Sequence, residues 1–365
     1  MNSSTTSSPS SSSSPSLFPP IPAPLQRLFD LVPLVTYPAN ALPGDNSLDD
    51  GCKALPDADT DHLDHLPILY VFIDPADAAR GRASFNPTCL KWQTFLRFAH
   101  IPFRTVASSN HASPTGALPF LQPARIPATT AAPIASKTAR SSPPRPISAS
   151  DLSTWVAKTS TSPSIPPSTL RDHPRAAAYQ SLLDTSLRRA WLHAVYLDQP
   201  RDRQGDKGAS IAVRLYAHTA STSFFVRAAL ASQLRAAASA EVWGSQQHNM
   251  STDTPAATAQ IYRDAETALL ALATVLGEDN YFFGSAEPTL FDAAVFSYSH
   301  LLLEDGNNDS EASRFPWHNC ILPNMVRSHP QLVQHRSRIV KNYWTKGAWE
   351  LSGERRRDGL VDIVN

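Results

Sequence analysis

FNPTCLKWQTFLRFAHIPF, residues 85–103, is a short helix pattern with a cysteine in its first turn and an apolar strand upstream of it. Asn86 is a fitting N-cap, and Pro87 suits the first turn, where a missing amide costs nothing. Cys89, Trp92, Leu96 and Ala99 recur at helical spacing, which predicts a buried face on a helix over 87–100. The same spacing turns Lys91, Gln93, Thr94 and Arg97 elsewhere. A thiol at a helix N-terminus meets unpaired amides and the positive end of the dipole, so the stretch poses a question. Cys89 is either a nucleophile or a core residue in an architecture put to another use.

The flanks supply the frame. PILYVFI (67–73), a β-branched and aromatic run bounded by Pro67 and Asp74-Pro75, predicts the first strand. IPFRTV (101–106) and GALPFLQP (116–123) predict two more strands, and ISASDLSTWV (147–156) predicts a strand end running into a helix. Residues 124–146, rich in Pro, Ala and Ser, predict a disordered insertion between them. Strand, helix, strand, insert-bearing hairpin and helix together predict a small α/β unit of thioredoxin-like order.

After a Ser/Pro linker at 159–169 the chain turns helical. DHPRAAAYQSLLDTSLRRAWLHAVYLD (172–198) carries an i, i+3, i+4, i+7 stripe, with Asp184 and Arg188 expected to pair on its opposite face. Further helices are predicted over 209–219, 222–242, 255–276, 289–304, 317–328 and 330–345. The domain plan is therefore a Ser/Pro tail at 1–24, expected to be disordered, then an arm and linker at 25–66 with one strand at LVTY. A thioredoxin-like domain at 67–158, an all-α domain at 170–350 and a tail at 351–365 follow.

Composition limits the function classes. Lys+Arg and Asp+Glu are both 32, so the chain carries no nucleic-acid electrostatic footprint. Its three cysteines, Cys52, Cys89 and Cys320, lie far apart and form no C-x-x-C, which argues against a disulfide framework and a zinc site. The longest apolar run, TALLALATVL (267–276), is too short to span a bilayer. No Lys or Arg precedes Arg27, so the N-terminus reads as neither a secretory signal nor a matrix presequence.

Each candidate site has a bland reading beside the functional one. Cys89 lacks a resolving partner, since the positions three residues away hold Asn86 and Trp92, and it shares a face with Trp92 and Leu96. A buried structural cysteine is the expectation. GALPFL resembles the pattern with which the thioredoxin/glutathione-transferase superfamily opens its third strand, which implies a cis bond at Pro119; the alternative is an ordinary edge-strand proline. Ser150 and Asp151 follow the fourth strand, where the resemblance to the thioredoxin/glutathione-transferase superfamily implies an acid and a serine gripping a γ-glutamyl group, but Ala149 occupies the acid's position. A pocket missing such an anchor loses affinity steeply. Thr289 and Asp292 precede an apolar stripe and predict a capping box, worth about 0.5–2 kcal/mol, with no catalytic role. The histidines are scattered, and Glu354-Arg355-Arg356-Arg357 reads as a solvated tail with at most a weak pull toward anionic lipid.

These stretches resemble the metaxin family. The resemblance is carried by LYVF, FNPTCLKWQTFLRFAHIPF, GALPFL, YQSLLDTSLRRAWLHAVYLD and YFFGSAEPTLFDAAVF, spans roughly 67–345, and is extended by RLFDLVPLVTYPANALP (27–43). It implies a glutathione-transferase-like fold without transferase activity or cofactor. It also implies a peripheral subunit of the mitochondrial sorting and assembly machinery (SAM complex), on the cytosolic face of the outer membrane. The implied partners are the central β-barrel subunit, a larger metaxin-like subunit and incoming β-barrel precursors, with membrane association through those partners. The rival readings are a glutathione-dependent enzyme using Cys89 or Ser150, and a generic interaction module with cytosolic partners.

Overall fold

The computed structural model describes residues 66–124, 144–160, 174–198, 211–217, 223–244, 255–303, 315, 317 and 319–345. The expected LVTY strand, most of the 124–146 insertion and both terminal tails lie outside those residues.

Four strands form one sheet. β1 (Ile68–Val71) lies between β2 (Arg104–Ala107) and β3 (Phe120–Gln122), with β4 (Ile147–Ser148) beyond β3. β1 and β2 run parallel, Ile68 opposite Arg104, which requires the crossover helix; β3 runs antiparallel to both β1 and β4. Two strands begin later than the sequence suggests, and proline is the reason. β2 starts after Pro102, because the Arg104 amide is the first to reach the sheet, at 2.9 Å from the Pro67 carbonyl. β3 likewise starts after Pro119, which has no amide to give, and Phe120 then stacks on Tyr70 with centroids 4.5 Å apart.

α1 (Pro75–Ala79) is a short turn capped by Asp74, whose carboxylate accepts from the Ala76 amide. α2 (Pro87–Phe98) is the crossover helix, capped by Asn86 as expected. It ends with His100 in the left-handed region (φ 51), where the Ile101 amide donates to the Leu96 carbonyl. α2 is buried on more sides than its periodicity predicts: Gln93 and Thr94, expected to face away from the core, are both inside. Gln93 is buried because its Oε1 accepts from the Ser84 amide at 2.8 Å, which ties the helix to the loop before it. α3 (Leu152–Thr159) follows β4 and buries Leu152 and Val156.

The remaining elements are helical. α4 runs over 174–197 and includes two π turns, Leu183–Leu187 and His193–Leu197. A further π turn lies at Val213–Ala217, within the helix expected over 209–219. α5 (Phe224–Trp243), α6 (Pro255–Leu276), α7 (Leu290–Leu302), α8 (Ile321–Arg327) and α9 (Pro330–Ile339) complete the set, α9 continuing as a π turn over Val340–Trp344. Arg188 does not pair with Asp184. The guanidinium reaches across to α5, donating through Nε and Nη2 to the two Glu241 carboxylate oxygens, while Asp184 accepts from Gln180. Glu241 meets the planar guanidinium with both carboxylate oxygens, the geometry that favours an arginine–carboxylate pair.

α7 packs along α2, so a single core runs from the sheet through α2 into the helical half. Leu69, Leu90, Leu96, Phe120, Phe296 and Leu301 are all fully or almost fully buried in it. Among the described residues no helix is long and apolar enough to cross a membrane.

Candidate functional site

The place to look for chemistry is the N-terminus of α2. Asn86 Oδ1 accepts from the Cys89 amide at 3.1 Å, so one of the free amides that could stabilise a thiolate is already committed. The Cys89 side chain has no exposed surface. Burial pushes its thiol up to about 12, outweighing the downward pull of hydrogen bonds from the Phe72 backbone and the Ser84 side chain. At neutral pH the sulfur is a thiol, and a thiol is a poor nucleophile.

A residue that the sequence reading did not single out closes the site. Tyr216, in the π turn at Val213–Ala217, sets its ring edge-on to Phe72 and Phe85, both at 5.1 Å, and stacks on Tyr196 at 6.0 Å. Its hydroxyl accepts from Asn86 Nδ2 at 3.0 Å, and burial raises its pKa well above the ordinary phenol value. An aromatic from the helical half thus occupies the approach to the α2 N-terminus. Asn86 and Tyr216 are 130 positions apart, and no local pattern links them.

One small space lies beside the start of α2. A cavity of about 40 Å³ lies beside Pro87, Thr88 and Lys91, walled by Asp184, Arg188 and Tyr298. A tripeptide-sized ligand needs a cleft on the order of several hundred Å³. A larger hollow of about 370 Å³ is lined by Asp198, Tyr262 and Asn319, away from the thiol, and there Asp198 Oδ2 accepts from Asn319 (3.0 Å) and Tyr262 (3.3 Å).

The ligand-gripping position after β4 is also self-contained. Ser150 is exposed and its hydroxyl lies 2.7 Å from that of Ser148, which donates to Asp151 Oδ2 at 2.8 Å. Ala149 is half-buried against the core and offers no polar atom there. Cys320 is exposed and Cys89 buried, both as free thiols; Cys52 lies outside the described residues. Among the described residues no group of three or more His, Cys, Asp or Glu side chains is placed to hold a metal ion.

The two other predicted hallmarks are both present. The Leu118–Pro119 peptide is cis. Thr289 and Asp292 form the expected capping box at the start of α7, but the carboxylate does more than cap. Asp292 Oδ2 accepts from the Thr289 amide (2.8 Å) and hydroxyl (2.7 Å), while Oδ1 accepts from the Phe282 amide (2.9 Å) and lies 3.0 Å from His335 Nε2. Asp292 and His335 are both fully buried. A carboxylate only accepts, so His335 carries its proton on Nε2. The pair joins α7 to α9 and to the loop at Phe282.

A mixed sheet in the order β2-β1-β3-β4, a cis proline before β3 and a capped helical half define a glutathione-transferase-like fold, with a thioredoxin-like domain followed by a helical one. Two family models match the chain: the glutathione S-transferase N-terminal domain over residues 87–200, and the glutathione S-transferase C-terminal domain over residues 265–339. No curated protein matches. Among solved structures, a glutathione S-transferase from Methylobacterium radiotolerans, in complex with glutathione sulfonate, is 15% identical over 78% of this chain and 93% of its own (TM-score 0.39). A β-etherase from Sphingobium sp. strain SYK-6 is 11% identical over 79% of this chain and 99% of its own (TM-score 0.42). Glutaredoxin 2 from Salmonella typhimurium, in complex with glutathione, is 13% identical over 79% and 99% (TM-score 0.41).

Proposed function

We propose that the protein is a non-catalytic, metaxin-like subunit of the mitochondrial outer-membrane sorting and assembly machinery, helping to recognise and insert β-barrel precursors. Within the metaxin family its residues are most similar to the fungal thirty-five-kilodalton peripheral subunit. The carrying observation is the covered thiol: Cys89 has no exposed surface and is held protonated, and Tyr216 packs on its N-cap Asn86 and on Phe72 and Phe85. With the reactive position closed and the Ser148–Ser150–Asp151 cluster bonded within itself, the outer surfaces of the two domains are left to do the work. The proposed setting is the cytosolic face of the outer membrane, beside the central β-barrel subunit and a larger metaxin-like subunit. This part of the reading draws on the resemblance over 67–345.

The experiment is native purification of the tagged full chain from mitochondria. Coelution with an outer-membrane barrel protein in fixed stoichiometry, and crosslinking to the last strand of an arriving precursor, are expected. A free soluble dimer with no barrel partner would overturn the reading. Retention on glutathione resin together with turnover of a thiol substrate would instead establish the enzyme.

A further inference from the structure

α5 is an unusual helix for a folded domain. Of its 20 residues only Ala238 and Val242, near its C-terminal end, are buried. Its first fourteen residues, on the order of 20 Å of helix, carry none. A helix facing water normally turns charge outward. Here every exposed position between 224 and 240 is uncharged.

The tip of the helix is aromatic. Phe224 and Phe225 are 70% and 76% exposed, and Val226 is 41% exposed. The two rings meet edge-on at 5.8 Å, so they form one apolar wedge. Along the chain on either side of them the charge has a single sign: from 211 to 240 the sequence holds Arg214, Arg227 and Arg235 and no carboxylate, the first acid being Glu241. Arg214 is exposed and Arg227 and Arg235 are half-buried.

We propose that the tip of α5 docks directly on an anionic lipid surface, with Phe224 and Phe225 entering the boundary between headgroups and acyl chains. An exposed aromatic pair gains by leaving water for that boundary, and cations beside it gain from anionic headgroups. An exposed tip of Phe224, Phe225 and Val226, none with a polar side chain, suits a lipid surface better than a protein groove, which is held in register by satisfied polar pairs. The contact supplements attachment through protein partners, and it stands independently of the assembly-machinery reading, because lipid alone suffices to detect it.

The test is sedimentation of the purified full chain with vesicles of phosphatidylcholine alone, and of phosphatidylcholine with roughly 30 mol% phosphatidylinositol. Binding to the anionic vesicles is expected, weakened by added salt, and about tenfold weaker or more in the Phe224→Ser/Phe225→Ser variant. Because both rings are exposed, that variant should keep the helical content and thermal midpoint of the parent. Arg214→Gln/Arg227→Gln should lose the preference for anionic over neutral vesicles. Absence of binding to either vesicle, or equal binding by the phenylalanine variant, would overturn the proposal and leave the wedge to a protein partner.

Discussion

The Arg97 guanidinium lies 4.0 Å from the centroid of the Trp344 ring and joins the C-terminal π turn to α2. Its Nη1 donates to the Tyr343 carbonyl at 2.9 Å and its Nη2 to the Gly81 carbonyl at 3.0 Å. Phe98 packs against Tyr343 at 4.8 Å in the same joint. One side chain thus holds the last described helix, the crossover helix and the turn after α1. Arginine suits the role because its planar fork can stack on a ring and donate in two directions at once.

Replacing Arg97 with Ala should therefore destabilise the protein by roughly 2 kcal/mol, through lost charge-assisted bonds and the lost cation–π contact. Arg97→Lys should recover only part of that, since an ammonium cannot stack and fork together. Urea unfolding of the three proteins measures both. Equal stability of the lysine variant and the parent would show that charge alone matters here.

Asp292 should be much the more sensitive half of the capping box. Thr289→Ala removes one acceptor and should cost about 1 kcal/mol. Asp292→Ala strands the amides of Phe282 and Thr289 and the His335 proton in the interior, a loss on the order of 3–5 kcal/mol. A double-mutant cycle between Asp292 and His335 should give a coupling above about 0.5 kcal/mol. Additive losses would mean that the buried pair is incidental.

The Cys89 thiol should make the protein less stable in alkali. Its folded pKa is raised to about 12, so the folded state keeps its proton while an unfolded thiol loses one near ~8.5. Below that value the group has no effect. Above it, stability falls by up to about 1.4 kcal/mol per pH unit until the folded pKa is reached. Chemical denaturation between roughly pH 8.5 and 9.5 reads this out below the range where tyrosines ionise. Cys89→Ala should flatten the slope, even though the cavity lowers overall stability.

Tyr216 should govern access to that sulfur. In the native protein Cys89 should resist an aromatic disulfide reagent at neutral pH, while exposed Cys320 reacts at once. Tyr216→Ala removes the ring over Asn86, Phe72 and Phe85 and should speed labelling of Cys89 about tenfold or more, with Cys320 unchanged. Peptide mapping after timed quenching separates the two thiols. Immediate labelling of Cys89 in the parent would contradict the closed site.

Much of the frame could be read from the chain because its signals are local. Asn86-Pro87 marks the start of α2, the Ile68–Val71 run marks β1, and Thr289-x-x-Asp292 marks α7, each within a few residues. At Ile101 and Gly116 the strand pattern starts before the strand does, because apolar character runs past prolines that cannot join the ladder. Gln93 and Thr94 depart from the helical pattern for a related reason. Helical periodicity identifies one apolar stripe, whereas α2 is enclosed by the sheet, the loop at Ser84 and α7, so polar residues on its flanks are buried too.

By itself, the sequence determined the order of elements, the capped starts of α2 and α7 and the proline before β3. Only the tertiary structure decided that Tyr216 would bond Asn86 at the start of α2, that Arg188 would leave Asp184 for Glu241, that His335 would share Asp292, and that Arg97 would reach Trp344. The reason is physical. Propensity, capping and periodicity act over about one or two helical turns, whereas these contacts join residues 130, 53, 43 and 247 positions apart, and only the packed core brings them together.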